Sequence, residues 1–289
     1  MKFRIFLLIA SFILVSALLL ASCMSSGTST ETGNTSQETS KPVTSDVIRV
    51  SFSGTGYTIS DASACIEEGK SLVLTKAGTY SLSGELTDGQ VVVRVSKDEE
   101  VTLELNNVSI TCSTSSAISV ESADKVTLFS VAGTTNTFTD GTSYSSTTGP
   151  NACIHSKDDL TFEGNGTIII HGNYNHAVKS NNDIKIKSGT IQLDAVGNAI
   201  RGNDSVTITG GTVNVTSCKD GLKASTTDKE GKGFVLIEGG SVTLTCSDDA
   251  IQAILSVTIS GGLVTVSAQG DVVNCTGTVD IAQGCLVQK

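Results

Sequence analysis

The strongest constraint on this chain is a short pattern written five times between Ala152 and Asn274. Ala-Cys-Ile-His-Ser-Lys-Asp-Asp-Leu-Thr-Phe starts at Ala152, and His-Ala-Val-Lys-Ser-Asn-Asn-Asp-Ile-Lys-Ile starts at His176. Asn-Ala-Ile-Arg-Gly-Asn-Asp-Ser-Val-Thr-Ile starts at Asn198. Shorter copies start at Asp220 and Asp249, and a sixth start follows at Asp271. Successive starts are 24, 22, 22, 29 and 22 residues apart. A fixed period of this size marks a solenoid, in which each repeat buries its apolar face only against its neighbours.

The alternation inside one repeat says what the solenoid is made of. Ile200, Val206, Ile208, Val213 and Val215 point inward, while Arg201, Thr207 and Asn214 point outward. Gly210 and Gly211 turn the chain between them. This is strand periodicity. Three strands of about three residues per coil, all facing one interior, make an all-β parallel β-helix. A TIM barrel or a doubly wound sheet needs amphipathic helices between strands, and none is visible. An antiparallel sandwich would not explain a repeat kept in phase. Looser copies around Leu105–Ile110 and Ala117–Leu128, and short alternating runs from Ile48 onward, extend the pattern to a single domain over 47–289. A polar loop at Gly133–Asn151 and an insertion at Asp228–Gly233 leave the solenoid at turns.

Equivalent positions in successive coils stack about 4.8 Å apart, so the repeat writes surface chemistry in columns. Column one is the coil start: Ala152, His176, Asn198, Asp220, Asp249 and Asp271. Column two, three residues on, is His155, Lys179, Arg201, Lys223, Gln252 and Asn274. Column three, in the next turn, is Asp158, Asn182 and Asp204, with Asp159 and Asp183 beside it. Stacked carboxylates at about 4.8 Å repel by roughly 1 kcal/mol in water and about 3 kcal/mol at an effective dielectric of 20. Such stacks need solvent, cations or a metal. Two acid sets are candidates to share a calcium ion, which takes oxygen ligands flexibly. They are Asp220, Asp248, Asp249 and Asp271, and Asp158, Asp159, Asp183 and Asp204. The structural alternative is that these side chains accept turn hydrogen bonds.

Column two is basic on an otherwise acidic protein. His155, Lys179, Arg201, Lys223 and Gln252 form a ligand-binding stripe along which a linear acidic polymer would lie, with Arg201 offering bidentate recognition of a carboxylate. The alternative is that the stripe only neutralises its acidic neighbours. His155 and His176 read as surface polar residues and His171 as structural. The chain has 19 basic and 29 acidic residues, a net charge of -10. That balance excludes nucleic acid, which needs basic surface to displace phosphate counterions. With no Trp, a flat aromatic platform for crystalline cellulose is disfavoured, and charged or soluble glycans fit better.

The first residues read as an address. Lys2 and Arg4 precede an apolar run, Ile5–Leu20, which ends in Leu-Ala-Ser-Cys. This resembles a bacterial lipoprotein signal over 1–22, with lipid added to Cys23 and a flexible Ser/Thr-rich tether over 23–46. The expected location is extracytoplasmic, anchored to the cell membrane through the N-terminal lipid. Without Lys2 and Arg4 the charge falls to 17 − 29 = -12. The seven remaining cysteines are odd in number and lack a CxxC, which argues against zinc. They read mostly as free core thiols, with Cys218 and Cys246 the pair placed to meet.

Several segments carry a family resemblance. Ser-Ala-Asp-Lys-Val-Thr, Thr-Asp-Gly-Thr-Ser-Tyr-Ser, Gly-Asn-Tyr-Asn-His-Ala-Val-Lys-Ser-Asn-Asn-Asp-Ile-Lys-Ile and Lys-Asp-Gly-Leu-Lys-Ala lie within roughly 55–270. They resemble the secreted bacterial carbohydrate-binding domain-containing proteins. The resemblance implies a right-handed parallel β-helix like that of pectate lyases, calcium binding, and binding of plant cell-wall polysaccharide, including cellulose and acidic pectic polymers, without established catalysis. His176 and Asn198 stand where the family pattern has Asp, which weakens any calcium site on those rungs. Three functions follow as expectations: a non-catalytic calcium-dependent polysaccharide binder, a calcium-dependent polysaccharide lyase, or an adhesin whose solenoid is a spacer.

Overall fold

The structure is a computed structural model and describes residues 47–289. The expected signal segment (1–22), Cys23 and the expected tether (23–46) lie outside the described residues. Twenty-eight strands and one short 3-10 turn make up the described chain, with no α-helix among them. The strands wind into a right-handed parallel β-helix with three faces. The first face is a ladder of ten strands running from Cys65–Glu68 to Val273–Cys275. The second carries Lys125–Ser130, Asp159–Gly164, Asp183–Ile186, Ser205–Ile208, Phe234–Ile237, Ser256–Ile259 and Thr278–Ile281. The third runs from Thr135–Asp140 to Leu286–Gln288.

Strands in a coil are three to six residues long, as in Ile200–Gly202, Ser205–Ile208 and Thr212–Ser217. The third-face strands thus exceed the three residues read from the sequence. Alternation continues past the apolar pair there, because Thr212 and Ser217 extend the ladder outside the core. Two antiparallel hairpins open the solenoid, Ile48–Gly54 with Gly56–Ile59 and Cys65–Glu68 with Ser71–Leu74. The strand Glu100–Cys112 then bends to serve two faces. Its first half pairs with Lys125–Ser130 and its second with Thr135–Asp140. The bend falls at Asn107, at φ 56°, a left-handed conformation that Asn tolerates better than most residues.

Stacking like on like fills the interior. Leu128, Phe162, Ile186, Ile208, Ile237 and Ile259 occupy one register position on six successive rungs. Ile118, Ile154, Val178, Ile200, Leu222, Ile251 and Val273 do the same on the first face. All but Val273 are essentially sealed from solvent. Burying each such side chain contributes roughly 1.5–3 kcal/mol. Phe162→Ala should therefore destabilise the fold by about 3–5 kcal/mol, read as a lower urea midpoint. Thr207→Ala, on an outward position of the same face, should stay within about 0.5 kcal/mol of the parent.

Asn136 is fully buried and saturated: its Oδ1 accepts from Val108 N, and its Nδ2 donates to Thr134 Oγ1 and Thr167 O. The seven described cysteines are free thiols. Cys218 and Cys246 sit on adjacent rungs with their sulfurs 3.2 Å apart.

Candidate functional site

The first face carries the sequence columns in the expected register. His155 pairs with Lys179, Lys179 with Arg201, Arg201 with Lys223, Lys223 with Gln252 and Gln252 with Asn274. Short parallel strands with a buried residue on each side, such as Ile154 and Ser156 or Val178 and Ser180, force the middle residue outward. Ser119 extends the column by one rung before His155. Arg201 has no carboxylate within 4 Å among the described residues, and its Nη2 donates to Ser225 Oγ at 3.1 Å. Lys223 is 3.2 Å from Asp220. Burial, more than the neighbouring charge, pulls the Lys179 ammonium below the usual lysine range; Arg201 adds to the shift.

Six buried side-chain atoms among the described residues lack a hydrogen-bond partner. Three of them, His155 Nδ1, Arg201 Nε and Gln252 Oε1, belong to column two. An unsatisfied buried polar atom costs about 1–3 kcal/mol. Their concentration on one stripe marks a surface whose polar groups the protein itself does not satisfy.

His155 and His176 are not surface residues; each is only 5% exposed. The sequence reads them as surface polar residues, but aperiodic neighbours cover the rings: Thr148, Gly149 and Pro150 share a pocket lining with His155, and Gly197 and the Asn198 N–H pack on His176 Nδ1. Burial foremost, with Lys179 and Lys157 nearby, lowers His155 from 6.5 to about 4. Burial foremost, then Arg201, Lys179 and Lys223, lowers His176 to about 3. His176 Nδ1 also accepts Asn198 N at 3.0 Å, a bond that only the ring with an unprotonated Nδ1 can make. Both rings are neutral in the folded chain and protonate more readily unfolded. Stability should thus be full above pH 6.5 and fall as the pH drops from about 6.5 towards 4 and then 3. His176→Gln should flatten that fall, checked by urea midpoints across the range. His171 lies half exposed on the third face, with its Nδ1 2.8 Å from Asp194 Oδ1 on the next rung.

The acids divide into two groups. Asp220, Asp248 and Asp249 each bring a carboxylate oxygen within 4.8 Å of the others. Oxygens on one calcium ion, each roughly 2.3–2.6 Å from it, can span that distance. Asp220 Oδ2 accepts from Asn198 Nδ2 at 2.6 Å. Asp249 accepts from Asp271 N at 2.9 Å and Asn274 Nδ2 at 2.7 Å. These bonds orient the two buried carboxylates. Gly270 keeps the space beside them open, since a Cβ there would stand 2.7 Å from Asp249 Oδ1 and 2.8 Å from Asp248 Oδ1. The trio fits a hard cation. Asp271 contributes its backbone N–H to Asp249 rather than a carboxylate to the trio.

The other acids are held by protein donors. Asp158 accepts from Ala123 N at 3.1 Å. Asp159 accepts from Asp183 N at 3.3 Å. Asp183 accepts from Ser205 Oγ and, at 2.7 Å, Lys232 Nζ. Asp204 takes Lys229 Nζ at 2.7 Å. Both lysines come from the Asp228–Gly233 insertion, so that insertion returns to place ammonium groups where a cation would bind. Its three charged residues in a row were visible in the sequence, but their target rungs were not.

A loop-walled pocket of about 410 Å³ lies at the start of the stripe, and sequence reasoning missed it. Ser119, His155 and Lys179 line it from column two; Glu121, Lys157 and Asn181 line it two residues further along each strand. Thr148, Gly149 and Pro150 of the polar loop close one side. The loop itself is fixed: Tyr144 stacks on Tyr174 with ring centroids 4.1 Å apart, and its hydroxyl is 2.7 Å from Asp140 Oδ2.

The family model for carbohydrate-binding domain-containing proteins matches residues 68–285. The chain belongs to this family. A carbohydrate-binding domain-containing protein of Acetivibrio thermocellus is 37% identical over 217 residues, covering 74% of this chain and 76% of that one. A solved structure described as a polysaccharide lyase-like protein from C. thermocellum, in a gadolinium derivative, superposes with a TM-score of 0.82 at 35% identity. It covers 84% of this chain and 100% of that one. The comparison agrees with the pectate-lyase-like coil that the family resemblance implies.

Proposed function

We propose that this family member is a non-catalytic polysaccharide-binding protein that takes acidic glycans along the column Lys179–Arg201–Lys223. The observation that carries the reading is that column. Three cationic side chains stand on consecutive rungs of an acidic protein, Arg201 has no carboxylate partner among the described residues, and its buried Nε has no hydrogen-bond partner. The family name and the lyase-like fold support a polysaccharide as the ligand. Asp220, Asp248 and Asp249 hold calcium, which supplies a positive centre beside Lys223 for a second carboxylate of the same polymer. The N-terminal signal pattern supports export and lipid attachment at Cys23, tethering the solenoid outside the membrane. Pectic polymers of the plant cell wall are one glycan class with this charge.

Retention on immobilised polygalacturonate, with calcium and then with chelator, tests the reading. Retention that falls with chelator and salt is expected. No retention on an acidic glycan would overturn it. A rise in ultraviolet absorbance from unsaturated product would replace it with a lyase.

A further inference from the structure

We propose that the pocket at the head of the stripe is an end-recognition subsite that takes the terminal uronate of a glycan chain. The inference rests on the acidic-glycan reading of column two and adds a direction to it. Its volume, about 410 Å³, falls in the range of small-molecule sites, roughly 300–1,000 Å³. A polymer lying along the stripe runs from Lys223 and Arg201 to Lys179. At the pocket it meets Thr148, Gly149 and Pro150. The wall does not depend on the ligand to form, because Tyr144 is stacked on Tyr174 and bonded at Asp140. A walled pocket in line with a stripe admits a chain end and excludes a continuing chain.

The lining chemistry selects the sugar. Glu121 is a lining carboxylate, but Arg94 Nε engages it at 2.7 Å. Lys157 and Lys179 have no carboxylate within 4 Å among the described residues. The pocket therefore presents two uncompensated ammonium groups to its contents. His155, 95% buried and neutral, with its Nδ1 unpartnered, lines the same pocket. A neutral imidazole offers one donor and one acceptor, which matches a sugar hydroxyl. Asn181 and Ser119 add further hydroxyl partners. One carboxylate flanked by hydroxyls, the pattern of a uronic acid, meets each of these groups.

The test uses digalacturonate, its neutral counterpart digalactose, and polygalacturonate on the exported form of the chain. Calorimetry should show digalacturonate binding and no digalactose binding. Partly hydrolysed polygalacturonate, compared at equal uronate concentration, should compete in proportion to its number of chain ends. Lys157→Ala should weaken digalacturonate at least fivefold, and Lys157→Arg should restore most of the affinity. Lys157 is exposed, so unchanged thermal unfolding will show that the variant folds. Polymer retention without digalacturonate binding would sink the end subsite and leave the stripe standing. Equal affinity in Lys157→Ala would sink it too. Loss of both ligands in the parent protein would sink the stripe and the subsite together.

Discussion

Arg201→Ala is expected to reduce affinity for polygalacturonate by about tenfold to a hundredfold, the equivalent of the 1.5–3 kcal/mol carried by a charged hydrogen bond. Arg201 stands between Lys179 and Lys223 in register, so its loss opens a gap in the middle of the stripe. Neighbouring rungs are about 4.8 Å apart, well inside the roughly 8 Å screening length at physiological salt. The three cations therefore act on a polymer as one charged strip, and removing all three should abolish retention. Arg201→Lys should recover only part of the loss. Lysine restores the charge but not the planar fork that grips a carboxylate at two points. The substitution also removes Nε, which is buried and unpartnered, and relieving that atom should raise stability slightly while binding falls. This opposite movement of stability and affinity separates a ligand site from a structural ion pair. Unchanged affinity gel mobility on polygalacturonate would remove column two from the binding surface.

The fold and the columns were legible because a parallel solenoid converts sequence period directly into spatial register. His155, Lys179, Arg201, Lys223, Gln252 and Asn274 align in space as they align in sequence. What the period does not encode is how much a neighbouring turn covers. Outward positions in the three-residue strand Ile200–Gly202 differ little in pattern from His155 and His176, which are buried. Nor does a period specify where its interruptions go. The Asp228–Gly233 insertion showed in the sequence as a longer coil, yet it reaches back across 49 residues from Lys232 to Asp183. The Gly133–Asn151 segment likewise showed only as a polar loop, whereas its end becomes a pocket wall. Insertions are aperiodic, so their docking depends on contacts that no repeat predicts. The acid columns illustrate the same limit. Asp183 and Asp204 met lysines from an insertion, while Asp220, Asp248 and Asp249 met one another.

Calcium should raise the melting temperature of the parent protein and raise that of Asp248→Asn by about half as much or less. At a calcium concentration a hundred times the dissociation constant, binding to the folded state alone adds about 2.7 kcal/mol. Part of that gain is relief of repulsion, since three carboxylates within 4.8 Å oppose one another by about 3 kcal/mol per pair at an effective dielectric of 20. Asp248 is the informative position. Asp220 and Asp249 each accept hydrogen bonds from neighbouring rungs, so changing them disturbs the fold as well as the ion. Asp248 is about half exposed and its nearest cation, Lys219, is 3.6 Å away. Asp248→Asn should therefore keep or slightly raise stability without calcium, while calcium affinity falls at least tenfold. Gly270→Ala approaches the site from the other side. Its methyl would stand under 3 Å from two of the carboxylate oxygens and from the Asp248 backbone, which should weaken calcium with every acid still present. Melting curves and calorimetry with calcium and with chelator read both variants. A parent protein whose melting temperature ignores calcium and chelator alike would show that Asn198, Lys223, Asn274 and solvent suffice to hold the acids together, and the cation would leave the account.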